Sequence, residues 1–362
     1  MRIAKATARY EAWLGGHLTL VAPDLRLKHR RMREDRFAFL RATYYRWAQR
    51  FPELCPDLER AARVLAAGDL HVENFGTWRD AEGRLIWGVN DFDEAWRLPF
   101  THDLVRLATS ANLAIAAGHL AIGAPAAADA ILGGYRAGLE AGGRPIVLAE
   151  AHEPLRAMAT HRLHEPGRFW QRLERLPTVR GRVPPGARRA LERMMPERDL
   201  AGRIVHRIAG LGSLGRQRFV AIADWHGGSI AREAKALAPS ACCWAEGRGA
   251  GKIRYQEILE RAVRCRDPFV RLQKKWIVRR LAPDCSRIEL AALPRERDEL
   301  RLLHAMGWET ANVHLGSGRR GELAAELRRL RRGWLPHAAD VMDEALDDDW
   351  RDWRKGGGRP VR

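Results

Sequence analysis

The stretch from Gly68 to Glu94 constrains this chain most: Gly-Asp-Leu-His-Val-Glu-Asn-Phe-Gly, a short spacer, then Asn-Asp-Phe-Asp-Glu. Asp69, Asn74, Asp91, Asp93 and Glu94 are hard oxygen donors of the kind that hold Mg²⁺ and orient a hydroxyl near a phosphate. The residues between them read as a β-hairpin. Phe75, Thr77 and Trp78 run into Arg79-Asp80-Ala81-Glu82-Gly83, and Leu85-Ile86-Trp87 run out. An antiparallel return about that turn brings Asn74 next to Asp91, so a linear spacing becomes a cluster of oxygens.

A chain of 362 residues with 46% hydrophobic content is long enough to bury a sizeable core. No run reaches the roughly 18 apolar residues of a membrane span, and the N-terminus lacks the apolar centre of a secretory signal. A cytoplasmic protein is the expectation. The five cysteines are scattered, with no Cys-x-x-Cys pair for zinc, and read as reduced thiols. A net charge of +18 favours polyanionic partners. Seven lysines against 56 arginines, however, is a skew that composition bias explains as readily as function.

Residues 1 to 66 read as mostly helical, with an amphipathic helix over Glu11–Leu20 and a stronger one over Arg36–Arg50, broken by Pro52 and Pro56. Lys28 to Arg33 is a solvated basic stretch or a phosphate-contacting one, and Arg41 a phosphate grip or half of a buried ion pair. Trp96 to Phe100 reads as a turn, and His102 to Ala117 as a nearly all-apolar helix, central in its lobe. Asp103 in its first turn caps helix amides or reaches back to brace the acidic loop. A further helix starts near Pro125 and runs to Glu140. Residues 142 to 200, dense in Pro and Arg, read as an irregular connector.

The pattern then changes to strands. Arg203 to Ala209 leads into Gly210-Leu-Gly212-Ser213-Leu-Gly215, and Arg218 to Ala223 follows. A dinucleotide fold requires a helix after such glycines, whereas a strand there predicts the hairpin that covers nucleotide phosphates in kinases. Ser229 to Lys235 and Trp276 to Leu281 are further strands, and Tyr255 to Arg266 a helix. Helices are predicted over Glu296–Leu315, Glu322–Arg332 and Pro336–Trp353, with a disordered tail over 355–362.

Gly68-Asp69-Leu70-His71-x-x-Asn74 resembles the catalytic loop of aminoglycoside and choline phosphotransferases, and Asn90 to Glu94 and His102-Asp103-Leu104 are similar to their following motifs. More closely, the chain resembles the bacterial family catalogued as domain of unknown function 2252, from Lys28-His29-x-x-Met32 through both acidic motifs and Gly210 to Gly215 to Val313-His314. That resemblance implies an α+β, protein-kinase-like, two-lobed fold in circularly permuted order. Residues 1–200 would form a large helical lobe, 201–285 a small antiparallel β-rich lobe that binds nucleotide, and 286–362 helices packing back on the large lobe.

The same resemblance implies ATP and Mg²⁺ as cofactors and a phosphotransfer site. Asp69 would accept or orient a hydroxyl proton, with His71 beside it. Asn74 and Asp91 would hold Mg²⁺, with Asp93 or Glu94 as a further ligand. Gly210, Gly212, Ser213 and Gly215 would cradle phosphate, and Arg232 or Lys235 would supply a cation. One departure stands out: Arg232-Glu233-Ala234 replaces the family's Lys-Glu-Ala. Lys and Arg are not interchangeable, and Lys235 takes that place only if the strand has ended before it. Phosphate or AMP transfer to an unknown hydroxyl is therefore the leading expectation. The alternatives are a catalytically inactive nucleotide-binding regulator, a basic nucleic-acid-binding protein supported by charge alone, and a metal-dependent phosphohydrolase, for which no close-spaced His set exists.

Overall fold

The computed structural model describes residues 1–148, 155–156, 166–197, 199–200, 202–249, 251–285 and 298–356. The expected tail beyond residue 356 and the start of the helix placed at Glu296 lie outside them. Five helices open the chain: α1 (Ile3–His17), α2 (Ala22–Glu34), α3 (Arg36–Ala42), α4 (Tyr44–Leu54) and α5 (Pro56–Glu59). The single helix expected over Arg36–Arg50 is two, because Thr43 leaves helical geometry (φ −120, ψ 34) and its hydroxyl donates to the Phe39 carbonyl at 2.7 Å. Pro52 does not break α4 but lies inside it, and the helix ends at Leu54.

Strand β1 (Arg63–Ala66) leads to the acidic loop, and β2 (Phe75–Arg79) and β3 (Leu85–Val89) form the expected hairpin, with Phe75 opposite Val89. Asp80 holds its turn, accepting from the amides of Glu82 and Arg84 at 3.1 and 2.9 Å. The segment expected as a turn is strand β4 (Trp96–Pro99), antiparallel to β1 with Leu98 opposite Val64. Pro99 sits at its end opposite Arg63, a place where a missing N–H is tolerated.

Helix α6 (Phe100–Ala116) is buried along its whole first three turns, as its apolar sequence requires. Helix α7 (Ala124–Glu140) follows, then β5 (Ile146–Val147), which extends the hairpin sheet. Among the described residues of the Pro-rich region are two short helices, α8 (Pro166–Glu174) and α9 (Pro185–Glu192).

The second half opens with a five-stranded antiparallel sheet, in the order β6 (Gly202–His206), β7 (Arg218–Trp225), β8 (Gly228–Ala236), β10 (Trp276–Leu281), β9 (Arg271–Gln273). His226 and Gly227, with φ 49 and 81, close the β7–β8 hairpin in the left-handed conformation that matches strand twist. Helix α10 (Ala241–Ala245) and α11 (Tyr255–Arg261, shorter than expected) connect β8 to β9. Helices α12 (Glu299–Leu315), α13 (Arg320–Arg329) and α14 (Trp334–Lys355) complete the chain, with α12 against α7 and α14 against α6. On α12 Leu300 is exposed at 44%, while Leu302 and Met306 are buried.

One continuous apolar core runs from Ile3 in α1 through α6 and α12 to Ala234 and Val278 in the large sheet. A smaller cluster, Leu173, Val205, Val220, Ile222, Ala231 and Leu281, covers the other face of that sheet under α8. The fold is thus mixed α+β with antiparallel sheets. Among the described residues no helix is long and apolar enough to cross a membrane.

Candidate functional site

The acidic loop between β1 and β2 is held from below. Asp103, fully buried in α6, accepts from the amides of Ala67 and Gly68 at 2.7 and 2.9 Å and lies 3.2 Å from Nε2 of His314. Of the two roles expected for this carboxylate, the structure has the brace. Burial alone would raise its pKa, but the hydrogen bond with His314 and the His102 ring 3.6 Å away outweigh burial and hold the carboxyl well below the usual range. Gly68 has φ +81, and a Cβ there would lie 2.4 Å from the carbonyl oxygen of Glu94, so only glycine permits the loop to pass the second acidic segment.

The hairpin register delivers the predicted juxtaposition. The Asn90 amide donates to the Asn74 carbonyl at 3.1 Å, and Nδ2 of Asn74 donates to the carbonyls of Asp69 and Asp91 at 3.2 and 3.0 Å. With its nitrogen engaged on both loops, Asn74 presents its amide oxygen as the atom left for a cation. Asp69 Oδ1 accepts from Nε of Arg106 at 2.9 Å and from a terminal nitrogen of the same guanidinium. Arg106 is fully buried, its guanidinium stacked 4.9 Å from the rings of both Tyr44 and Trp47. Nothing in the expected site included it; its signal was a lone cation inside an apolar helix, which requires a partner. His71 is buried, its Nδ1 accepts from the Glu73 amide at 3.2 Å, and its ring meets Phe37 edge-on.

Across the cleft, β8 supplies the cation. Lys235 Nζ lies 3.1 Å from Asp91 and 2.6 Å from Asp93, and the lysine side chain is 2% exposed. Arg232 points the other way, donating to the Met194 carbonyl at 2.9 Å and lying over the Phe269 ring. The condition set on Lys235 does not hold: β8 continues to Ala236, and Lys235 reaches the carboxylates because strand residues three apart face opposite sides. Glu233 shares the lysine's face, fully buried among Arg207, Arg218 and Arg279 at 2.6 to 2.9 Å, and those three cations overcome burial and depress its pKa far below normal.

Asp93 is the electrostatically strained member. Burial and the neighbouring Asp91 push its pKa up to about 6, against the pull of Lys235 and Arg216, and its Oδ1 is buried with no hydrogen-bond partner among the described residues. The Asn90 side-chain oxygen is orphaned in the same way. These unsatisfied oxygens beside Asp91 and Asn74 fit a hard cation. No set of three or more His, Cys, Asp or Glu ligands is preformed among the described residues. Mg²⁺, which takes one or two carboxylates and completes its shell with water and phosphate oxygens, does not need one. Glu94 is not available to it. Its carboxylate is tied to Arg216 at 2.8 Å and to the Ala241 amide at 2.6 Å.

The glycine segment crosses directly above Asp69. Gly210 and Gly215 adopt φ of 70 and 95, with Leu211–Ser213 as a single 3₁₀ turn between them. The turn is packed down: a Cβ on Gly212 would lie 2.9 Å from the Arg41 carbonyl and 3.4 Å from Oδ2 of Asp69, and Lys28 Nζ donates to the Gly212 carbonyl at 3.3 Å. The amides of Ser213, Leu214 and Arg216 are bonded within the loop, and Oγ of Ser213 accepts from Arg218 at 2.6 Å. Arg41 pairs with Glu73. A cavity of about 50 Å³ remains, lined by both acidic segments, the glycine turn, Lys28 and Arg41.

Residues 20–166 match the model of a family described as an uncharacterized protein conserved in bacteria (DUF2252). The match takes in α2, α3, both acidic segments and the Asp103 brace, and ends before the five-stranded sheet. No curated protein matches the chain. No solved structure does either.

Proposed function

We propose that this chain is a phosphotransferase of the protein-kinase-like class, with the two halves of its site in circularly permuted order. One observation carries the reading: Lys235 lies between Asp91 and Asp93, although 144 residues separate it from Asp91. Kinase-type catalysis needs a lysine on the third strand of a small sheet, a glycine turn joining the first two strands, and a metal-binding Asp facing both. Here the glycine turn joins β6 to β7, and Lys235 is on β8.

In this reading the acceptor hydroxyl binds at Asp69, which orients it and takes its proton as the oxygen attacks the γ-phosphorus and the bond to ADP breaks. If the α-phosphorus is attacked instead, AMP is transferred and pyrophosphate leaves. Lys235 releases Asp91 and Asp93 and pairs with nucleotide phosphate. Asn74, Asp91 and Asp93 are the residues that would hold Mg²⁺, which supplies charge neutralisation on the phosphates. Arg106 keeps Asp69 aimed, and His71 shapes the loop.

A second reading is a nucleotide-binding regulator without transfer; in both, the packed glycine turn must open, because the 50 Å³ cavity is far below the several hundred Å³ typical of a nucleotide site. Incubation with γ- and α-labelled ATP separates the two. Transfer of one label, or ATP consumption, is expected from the wild type, with losses of at least about 10²-fold in Asp91→Ala and Lys235→Met. Arg232→Ala should retain activity and lose only about 1 kcal/mol of stability, since it removes a stacked cation on the far face. Nucleotide-dependent thermal stabilisation without either label moving selects the regulator, and neither effect sinks the nucleotide reading altogether.

A further inference from the structure

We infer that the edge of the five-stranded sheet at the β9–β10 turn binds single-stranded nucleic acid through its phosphodiester backbone. A groove of about 910 Å³ runs there between α9, the β9–β10 turn and the segment before α11. One wall carries Arg189 and Arg193, a helical turn apart; the other carries Lys252, Arg271, Lys274 and Lys275. Among the described residues no acidic side chain lines the groove. Some arginines elsewhere on this surface find a carboxylate one turn away, as Arg50 does with Glu53 and Arg63 with Glu59. Six cations gathered without a counter-charge repel one another, and an anion laid between the walls removes that cost.

The hairpin turn gives an independent sign. Lys274 holds φ +56, the left-handed conformation that a two-residue turn normally assigns to Gly or Asn. Placing lysine there costs about 1 kcal/mol and puts a cation at the groove mouth.

The floor decides what kind of anion. Met194, Ile253 and Leu272 are partly exposed along it, while Trp276 is buried beneath, 3% exposed. No ring is free to stack on bases, so the contact is to sugar and phosphate and takes any sequence. Cations spread over two walls suit a chain with one charge per unit rather than the clustered charge of a single nucleotide. An acidic peptide adding to the sheet edge would need the Leu272 amide, which already donates to Oε1 of Gln256 at 3.1 Å.

Fluorescence anisotropy of the full chain with a labelled oligothymidine of about 20 nucleotides tests this, over about 50 to 200 mM salt. The double variant Arg189→Glu/Arg193→Glu is expected to bind at least about tenfold more weakly and to flatten the salt slope by about 1.4, at roughly 0.7 per lost phosphate contact. Arg328→Glu/Arg329→Glu, the same charge change at exposed sites on α13, should bind within about threefold of wild type. All four side chains are exposed, and melting curves verify that both variants fold. Equal losses in the two variants would reduce the effect to net charge and overturn the groove. Displacement of the oligonucleotide by polyglutamate at matched charge would make the ligand an acidic protein, and absence of binding in low salt would end the proposal.

Discussion

Asp103 is inaccessible to solvent, yet two loop amides and two imidazoles converge on it. Asn in its place could offer only one acceptor oxygen and would turn an NH₂ group toward the Ala67 or Gly68 amide. Asp103→Asn is therefore expected to cost about 3 kcal/mol at neutral pH, the range for breaking a buried, hydrogen-bonded charge. Because the folded-state pKa is depressed, this contribution is present above the unfolded carboxyl value of about 4 and is lost as pH falls below it. Urea melts should show the gap between wild type and variant narrowing progressively below about pH 4, and a gap that stays constant down to pH 3 would refute the assignment. That Asp103 serves the acidic loop was legible from its place at the start of an apolar helix. That Arg106, one turn on, grips Asp69 was not, because a lone buried arginine announces a partner without naming it.

Two elements show where local pattern suffices and where it does not. The alternation of β8 alone puts Arg232 and Lys235 on opposite faces, but only the pairing of Lys235 with Arg218 and Ile277 says which face meets the acidic loop. Helices α7 and α12 make the opposite case. Their glycines look like weak points by propensity, yet a Cβ on Gly134 would lie 1.8 Å from the His304 carbonyl oxygen, and one on Gly307 1.9 Å from that of Ile131. The helices touch backbone to backbone, and each glycine exists for that contact. Gly307→Ala forces the pair apart and should lower stability by about 3 kcal/mol in a thermal melt, although alanine is the better helix former. An unchanged or raised melting temperature would show that α12 is free to slide.

At the scale of the molecule, the helices α1 to α4 and the glycine turn close together over Asp69, Asp91 and Asp93. Under the proposed function, nucleotide entry would require the turn to release Arg41 and Lys28. Hydrogen exchange should therefore change over residues 210–216 when Mg²⁺ and a non-hydrolysable ATP analogue are added, because the Ser213, Leu214 and Arg216 amides leave their internal bonds. The buried turns of α6 should keep their protection. A rise in melting temperature with no change at 210–216 would put the nucleotide elsewhere. The net charge of +18, uninformative when counted over the chain, acquires a location in the groove between α9 and the β9–β10 turn.

The acidic site was written locally: Gly68, Asp69, Asn74, Asp91 and Asp93 fall within one loop, one hairpin and the next few residues, and hairpin register converts their spacing directly into proximity. The antiparallel sheet after Gly202 was legible for the same reason, through alternation and turn residues. The β4 strand was not, since its partner β1 lies 30 residues upstream and its own four residues resemble a turn. What only the tertiary structure decided was which cation completes the site. Arg232 and Lys235 are both cations three residues apart on one strand, and the choice between them belongs to the face of the sheet that packs toward Asp91, a relation carried by contacts across the whole chain.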